Sequence, residues 1–181
     1  MKNVLICGIG NVLLQDDGVG PYVARLLASC YEFEEGVEVS DLGTPALDLI
    51  DEISGRDAVI LIDSVNSGAA PGTVLLYRKE DVIRHSPAVR MDPHSPALVE
   101  TLLSADFYGI APAEVLLVGV TGASYEAGCT LSSPVKASVV RAIAEVLNEL
   151  DRLGVKYECR EKPADPSIWW TAVEQTRPQF A

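Results

Sequence analysis

The chain has 181 residues, enough for one domain that buries its own core without disulfide or metal staples. Its formal net charge of −12 argues against a nucleic-acid backbone or an anionic membrane surface as partner, while leaving basic proteins and cations open. No run approaches the ~20 apolar residues of a membrane span, and the opening MKNVLICGIG lacks the long apolar core and cleavage site of a signal peptide.

Apolar runs alternate with helix-periodic stretches. Val4–Cys7 reads as a buried strand, and Val19–Cys30 as a helix with Val19, Val23, Leu26, Leu27 and Cys30 on one face and Pro21 in its first turn. Val37–Val39 is a short strand, and Pro45–Ile53 a second helix. Ala58–Ile62 (AVILI) is continuously apolar and therefore central. Thr73–Tyr77 is a fourth strand, reached through the turn-rich NSGAAPG. Pro96–Ser104 is helical, Val115–Val120 is a fifth strand, and Ser133–Leu153 is the longest helix. That helix has Ser132 or Ser133 as N-cap, Pro134 in its first turn and Gly154 as its stop. Beyond it the periodicity fades. The chain therefore divides into a single α/β domain, residues 1–155, and a C-terminal tail, 156–181, whose Trp169 and Trp170 are expected to dock on the body. The four cysteines, Cys7, Cys30, Cys129 and Cys159, form no CxxC pair and read as reduced thiols of a cytoplasmic protein.

This alternation predicts a three-layer α/β fold with a largely parallel sheet, whose site lies beyond the carboxyl ends of the strands. The segment CGIGNVLLQDDGVG, residues 7–20, follows the first strand and opens like a dinucleotide loop. The third glycine of that fingerprint falls on Leu13, however, and two aspartates stand where a pyrophosphate needs bare amides. Asp16 reads as a helix cap or a loop ion-pair partner. Asp17 reads as functional once a second carboxylate is considered, and that is Asp63, at the end of the AVILI strand. His94, in MDPHSPAL between Pro93 and Pro96, meets both if its loop folds over the strand ends; His85 reads as solvated. Two carboxylates and one imidazole form an O,O,N set with open positions, suited by ligand type to nickel, zinc or copper. A cysteine nucleophile is disfavoured, because no histidine can be placed beside Cys7 or Cys129.

GIGNVLLQDDGVG, followed in order by DLGTPALDLID, LIDSV, APGTV, MDPHSPAL and LLVGV, resembles the nickel-iron hydrogenase maturation endopeptidases from Val4 to about Val155. The resemblance implies a three-layer α/β/α sandwich, phosphorylase/hydrolase-like, with a five-stranded, mostly parallel mixed sheet. Thr73–Tyr77 is the candidate for the antiparallel strand. It also implies removal of a C-terminal extension from a hydrogenase large-subunit precursor, just after the basic residue that closes the precursor's terminal cysteine motif. Asp17, Asp63 and His94 are implied as the catalytic and metal-contacting residues. The nickel is implied to be supplied by the precursor, other divalent ions such as cadmium or zinc can occupy the site, and no organic cofactor is needed. The expected protein is a cytoplasmic monomer. One position departs from the family: Leu42 stands where Asp-Gly-Gly-Thr has a glycine. The competing readings are a nickel metallochaperone without proteolysis and a flavodoxin-like ligand-binding module.

Overall fold

A computed structural model describes residues 1–45, 48–85, 88–89 and 98–169. Its main sheet is built from β1 (Val4–Ile9), β3 (Val37–Gly43), β4 (Ala58–Asn66), β5 (Val74–Arg78) and β7 (Glu114–Thr121), in the spatial order β3-β1-β4-β7-β5. β3, β1, β4 and β7 are mutually parallel, and β5 is the antiparallel edge, as expected for the segment around Thr73–Tyr77. A two-residue strand, β6 (Ala88–Val89), pairs antiparallel with the end of β4.

Helices cover both faces. α1 (Val19–Cys30) and α5 (Ser133–Leu153) lie on one; α2 (Leu49–Ile53), α3 (Lys79–His85) and α4 (Leu98–Tyr108) lie on the other. The period-2 geometry of a strand sorts the residues. Val4, Ile6, Ile60, Ile62, Leu116 and Val118 join Val23, Leu27, Val139 and Val146. Leu5, Cys7, Val59, Leu61, Val115 and Leu117 join Leu49, Ile53, Leu102 and Ala105 on the opposite face. β1, β4 and β7 are thus covered on both sides, which is why their sequences are unbroken apolar runs rather than alternating ones. Each fully buried aliphatic side chain there contributes about 1.5–3 kcal/mol from apolar surface removed from water.

α5 begins and ends where its sequence signals stand. Ser132 is the N-cap in extended geometry, a proline occupies the first turn, and Gly154 closes the helix in the left-handed region at φ 72°. Three elements carry no strong local signal. α3 arises from KEDVIRH, a charged stretch. β2 (Tyr31–Phe33) and β8 (Tyr157–Cys159) form a separate antiparallel pair, each too short for a period to register. Through β8, residues assigned from sequence to the tail are joined to the body, and Tyr157 packs edge-on against Tyr31 with ring centroids 6.0 Å apart. α2 starts at Leu49 rather than Pro45, and α4 runs past Ser104 to Tyr108. Among the described residues no helix is long and apolar enough to cross a membrane.

Candidate active site

The sheet reverses its winding between β1 and β4. From β1 the chain crosses on one face through α1 to β3, then returns over the other face through α2 to β4. Such a switch point opens a crevice at the carboxyl ends of the two strands. β4 is longer than AVILI and runs to Asn66. Its pairing with β1 stops at Gly8–Ile62, so Asp63 is the first β4 residue past that ladder, while its other side still pairs with Gly119 of β7.

The segment after β1 folds into a 3-10 turn, Gln15–Gly18, that carries Asp16 and Asp17 into the same crevice. Glycines make this approach possible. A Cβ on Gly20 would overlap the carbonyl oxygens of Ile62 and Ile9, and one on Gly10, at φ 139°, would overlap the carbonyl of Asp17. The glycines that imitate a nucleotide fingerprint therefore serve close backbone packing of helix on strand ends.

The two aspartates do different work. Asp16 is fully buried and completely engaged. Its Oδ2 accepts from the N–H of Ala123 at 2.8 Å, the N–H of Ser124 at 3.0 Å and the hydroxyl of Ser132 at 2.8 Å, and its Oδ1 accepts from the N–H of Ser132 at 2.6 Å. It caps neither helix by a bond to a first-turn N–H; it holds Ser132, the N-cap residue of α5, through that residue's own N–H and hydroxyl. Its charge stands at the N-terminus of a 21-residue helix, where the dipole favours an anion. Asp17 is 5% exposed, and its Oδ2 accepts from the N–H of Asn11 at 3.0 Å. The turn is further tied to the loop after β7 by Gln15 N–H to Gly128 O at 2.8 Å and Gly128 N–H to Leu13 O at 2.9 Å.

Asp63 is 1% exposed. Its Oδ1 accepts from the N–H of Ser64 at 2.7 Å, and its Oδ2 has no hydrogen-bond partner among the described residues. Burial, reinforced by the charge of Asp17, pushes its carboxyl well above the usual carboxylate range, and the Ser64 bond only partly offsets this. Two buried carboxylates that repel each other are relieved when one is protonated or when a cation joins them. Ser64 also meets Tyr125, with hydroxyls 2.8 Å apart, a contact between β4 and the loop after β7 that no local sequence signal marks.

Cys7 is fully buried beneath this site, and burial, with Glu52 and Asp63 nearby, pushes its thiol far above the ordinary value, so it is no nucleophile. His94 lies outside the described residues. Leu42 is the extra residue of a bulge: Gly8 pairs with Asp41 and Ile9 with Gly43. The left-handed geometry falls on Gly43, at φ 56°, and Leu42 packs against the α2–α4 core.

A doubly wound sheet with two buried aspartates at its switch point defines an α/β protein whose candidate site lies at the strand ends without a nucleotide loop. The family model for hydrogenase maturation protease matches residues 21–149. A hydrogenase expression/formation protein, HupM, of Azotobacter chroococcum mcd 1 is 39% identical over 164 residues, covering 90% of this chain and 78% of that protein. The hydrogenase 2 maturation protease of Escherichia coli (strain K12) is 33% identical over 162 residues, covering 87% of this chain and 96% of that protein. The solved structure of the hydrogenase maturating endopeptidase HybD from E. coli superimposes with a TM-score of 0.81 at 32% identity, covering 88% of this chain and 98% of that one. The chain belongs to the hydrogenase maturation protease family, and its chemistry is hydrolysis of a peptide bond.

Proposed function

We propose that this protein removes the C-terminal extension of the nickel-loaded large-subunit precursor of a nickel-iron hydrogenase, with Asp17, Asp63 and His94 facing the metal. The observation that carries the reading is the buried Asp17–Asp63 pair at the switch point, with Asp63 Oδ2 lacking a partner among the described residues. Nickel is part of the substrate in this reading. Two carboxylates supply oxygen ligands, and the family resemblance adds the imidazole of His94 as a nitrogen ligand. A divalent cation offsets the burial and the Asp17 charge that together hold the Asp63 pKa up, so a loaded precursor fits the crevice better than an empty one. The net charge of −12 favours approach of the precursor's basic terminal region.

The proposed chemistry is carboxylate-assisted hydrolysis. One carboxylate of the pair takes a proton from water, the water oxygen bonds to the scissile carbonyl carbon, the C–N bond breaks, and the proton passes to the leaving amine. The metal anchors the chain so that the scissile bond lies within reach.

The test is a mass spectrum of nickel-loaded and nickel-free precursor before and after incubation with the wild-type and Asp63→Asn proteins. Loss of one C-terminal peptide, only with nickel and only with intact Asp63, is expected. Cleavage of nickel-free precursor, or full cleavage by Asp63→Asn, would overturn the reading; metal transfer without a change in mass would replace it with a metallochaperone.

A further inference from the structure

The chain after β8 runs back along α1 toward the candidate site. Ala164 N–H donates to Ser29 O at 3.0 Å, and the Ser29 hydroxyl donates to Ala164 O. Ile168 is buried in the α1–α5 core. Trp169 then lies against Gly18, the residue after Asp17, where a Cβ on Gly18 would come within 3.2 Å of the indole ring. Its Nε1–H donates to Cys129 O at 2.7 Å, in the loop after β7, and Tyr22 meets the ring edge-on at 6.3 Å.

Arg25 completes the arrangement. Its guanidinium carbon stands 5.5 Å from the Trp169 ring centroid, its Nη1 donates to Ser167 O at 2.7 Å, and its Nε donates to Asp41 Oδ2 at 2.9 Å. Asp41 belongs to the end of β3, and its other oxygen accepts from the N–H of Gly43 at 3.1 Å. One arginine and one tryptophan therefore join three segments at the carboxyl edge of the sheet: the end of β3, the turn carrying Asp17, and the loop after β7 that Asp16 holds from its other side. A planar guanidinium can serve a carboxylate, a carbonyl and a ring face together, which an ammonium cannot.

We infer that the Arg25–Trp169 clasp is a positioning device for the Asp17–Asp63 site, holding those three segments in register. Both act as positioning residues, through the contacts to neighbouring segments described above. The inference rests on the proposed function for its kinetic consequence and on geometry alone for its structural one. A misplacement of about 1 Å costs up to roughly a hundredfold in rate, so loss of the clasp lowers turnover more than substrate binding.

Two conservative variants test it in the full-length protein. Trp169→Phe keeps an aromatic ring and removes the donor to Cys129. Arg25→Lys keeps the charge opposite Asp41 and removes the fork. Both are expected to unfold near the wild-type midpoint yet to lower kcat on nickel-loaded precursor about tenfold, with KM changed less than about twofold. Hydrogen exchange without substrate is expected to speed up about tenfold at residues 11–18, 41–43 and 122–129 and to stay unchanged in β4 and α5. Wild-type turnover and wild-type exchange in both variants would overturn the clasp, as would exchange that rises equally in β4 and α5. If the wild-type protein itself leaves loaded precursor intact, the proposed function fails, and the exchange pattern still decides the clasp.

Discussion

Asp16 holds Ser132 through both of its carboxylate oxygens, accepting the backbone N–H on Oδ1 at 2.6 Å and the hydroxyl on Oδ2 at 2.8 Å. The contact spans 116 residues of sequence and joins the turn after β1 to the start of α5. Replacing Asp16 by alanine leaves three partly buried N–H groups and a hydroxyl without their acceptor. The expected cost is about 3 kcal/mol, and Asp16→Asn, which keeps one carbonyl oxygen, should cost about half of that. Urea unfolding measures both; an Asp16→Ala protein within about 0.5 kcal/mol of wild type would show that the clamp does not stabilise the fold.

Asp63 opposes stability. Its folded pKa lies above the ordinary 3.8, because burial and the Asp17 charge disfavour the carboxylate. The folded state therefore holds the proton longer than the unfolded chain. Stability from this group is fully present below the unfolded value and is lost as pH rises through the folded one. Asp63→Asn should unfold at higher urea than wild type at neutral pH, by about 1–3 kcal/mol, and the difference should vanish toward acid. An equal offset at every pH would show that the effect is packing rather than ionisation.

Glu149 has the opposite sign. It is 4% exposed and accepts bidentate bonds from Arg78 at 2.5 and 2.8 Å, with Arg152 at 2.8 and 3.0 Å. Burial alone would raise its pKa, but the two arginines outweigh burial and pull it below the ordinary 4.5. This stability is present above that value and is lost as pH falls through the folded one. Glu149→Gln should cost about 1–3 kcal/mol near neutral pH, less than for a fully buried pair because both arginines are partly in water. The cost should shrink in acid, as unfolding curves at several pH values would reveal.

Gly20 should tolerate no side chain. A Cβ there overlaps backbone oxygens of both Ile9 and Ile62, and strand backbone cannot yield as a flexible side chain would. Gly20→Ala is expected to lower stability by about 2–4 kcal/mol, from strain plus displacement of α1 from the strand ends. An unchanged thermal midpoint would mean that α1 can shift freely, and the crevice with it.

Much of this molecule was readable from its residues. The unbroken apolar runs at Val4, Ala58 and Val115 marked strands covered on both faces, because only such strands omit the polar half of the alternation. Ser132, Pro134 and Gly154 bounded α5, because Pro fits a first turn and Gly a left-handed stop whatever lies elsewhere in the chain. Asp17 and Asp63 were legible as candidates from their place after strands, since a parallel sheet puts its site there. Sequence set Asp16 apart as structural and Asp17 as functional, but it could not say what Asp16 holds. That is decided by the approach of residues 123–132 from far along the chain. Nor could it find the β2–β8 pair or the junction of Arg25, Asp41 and Trp169, whose members lie in remote segments and carry no periodic signal. Local signals report what a residue does to its own turn or strand. Burial, the field of one aspartate on another, and contacts between distant loops exist only once the chain has closed on itself.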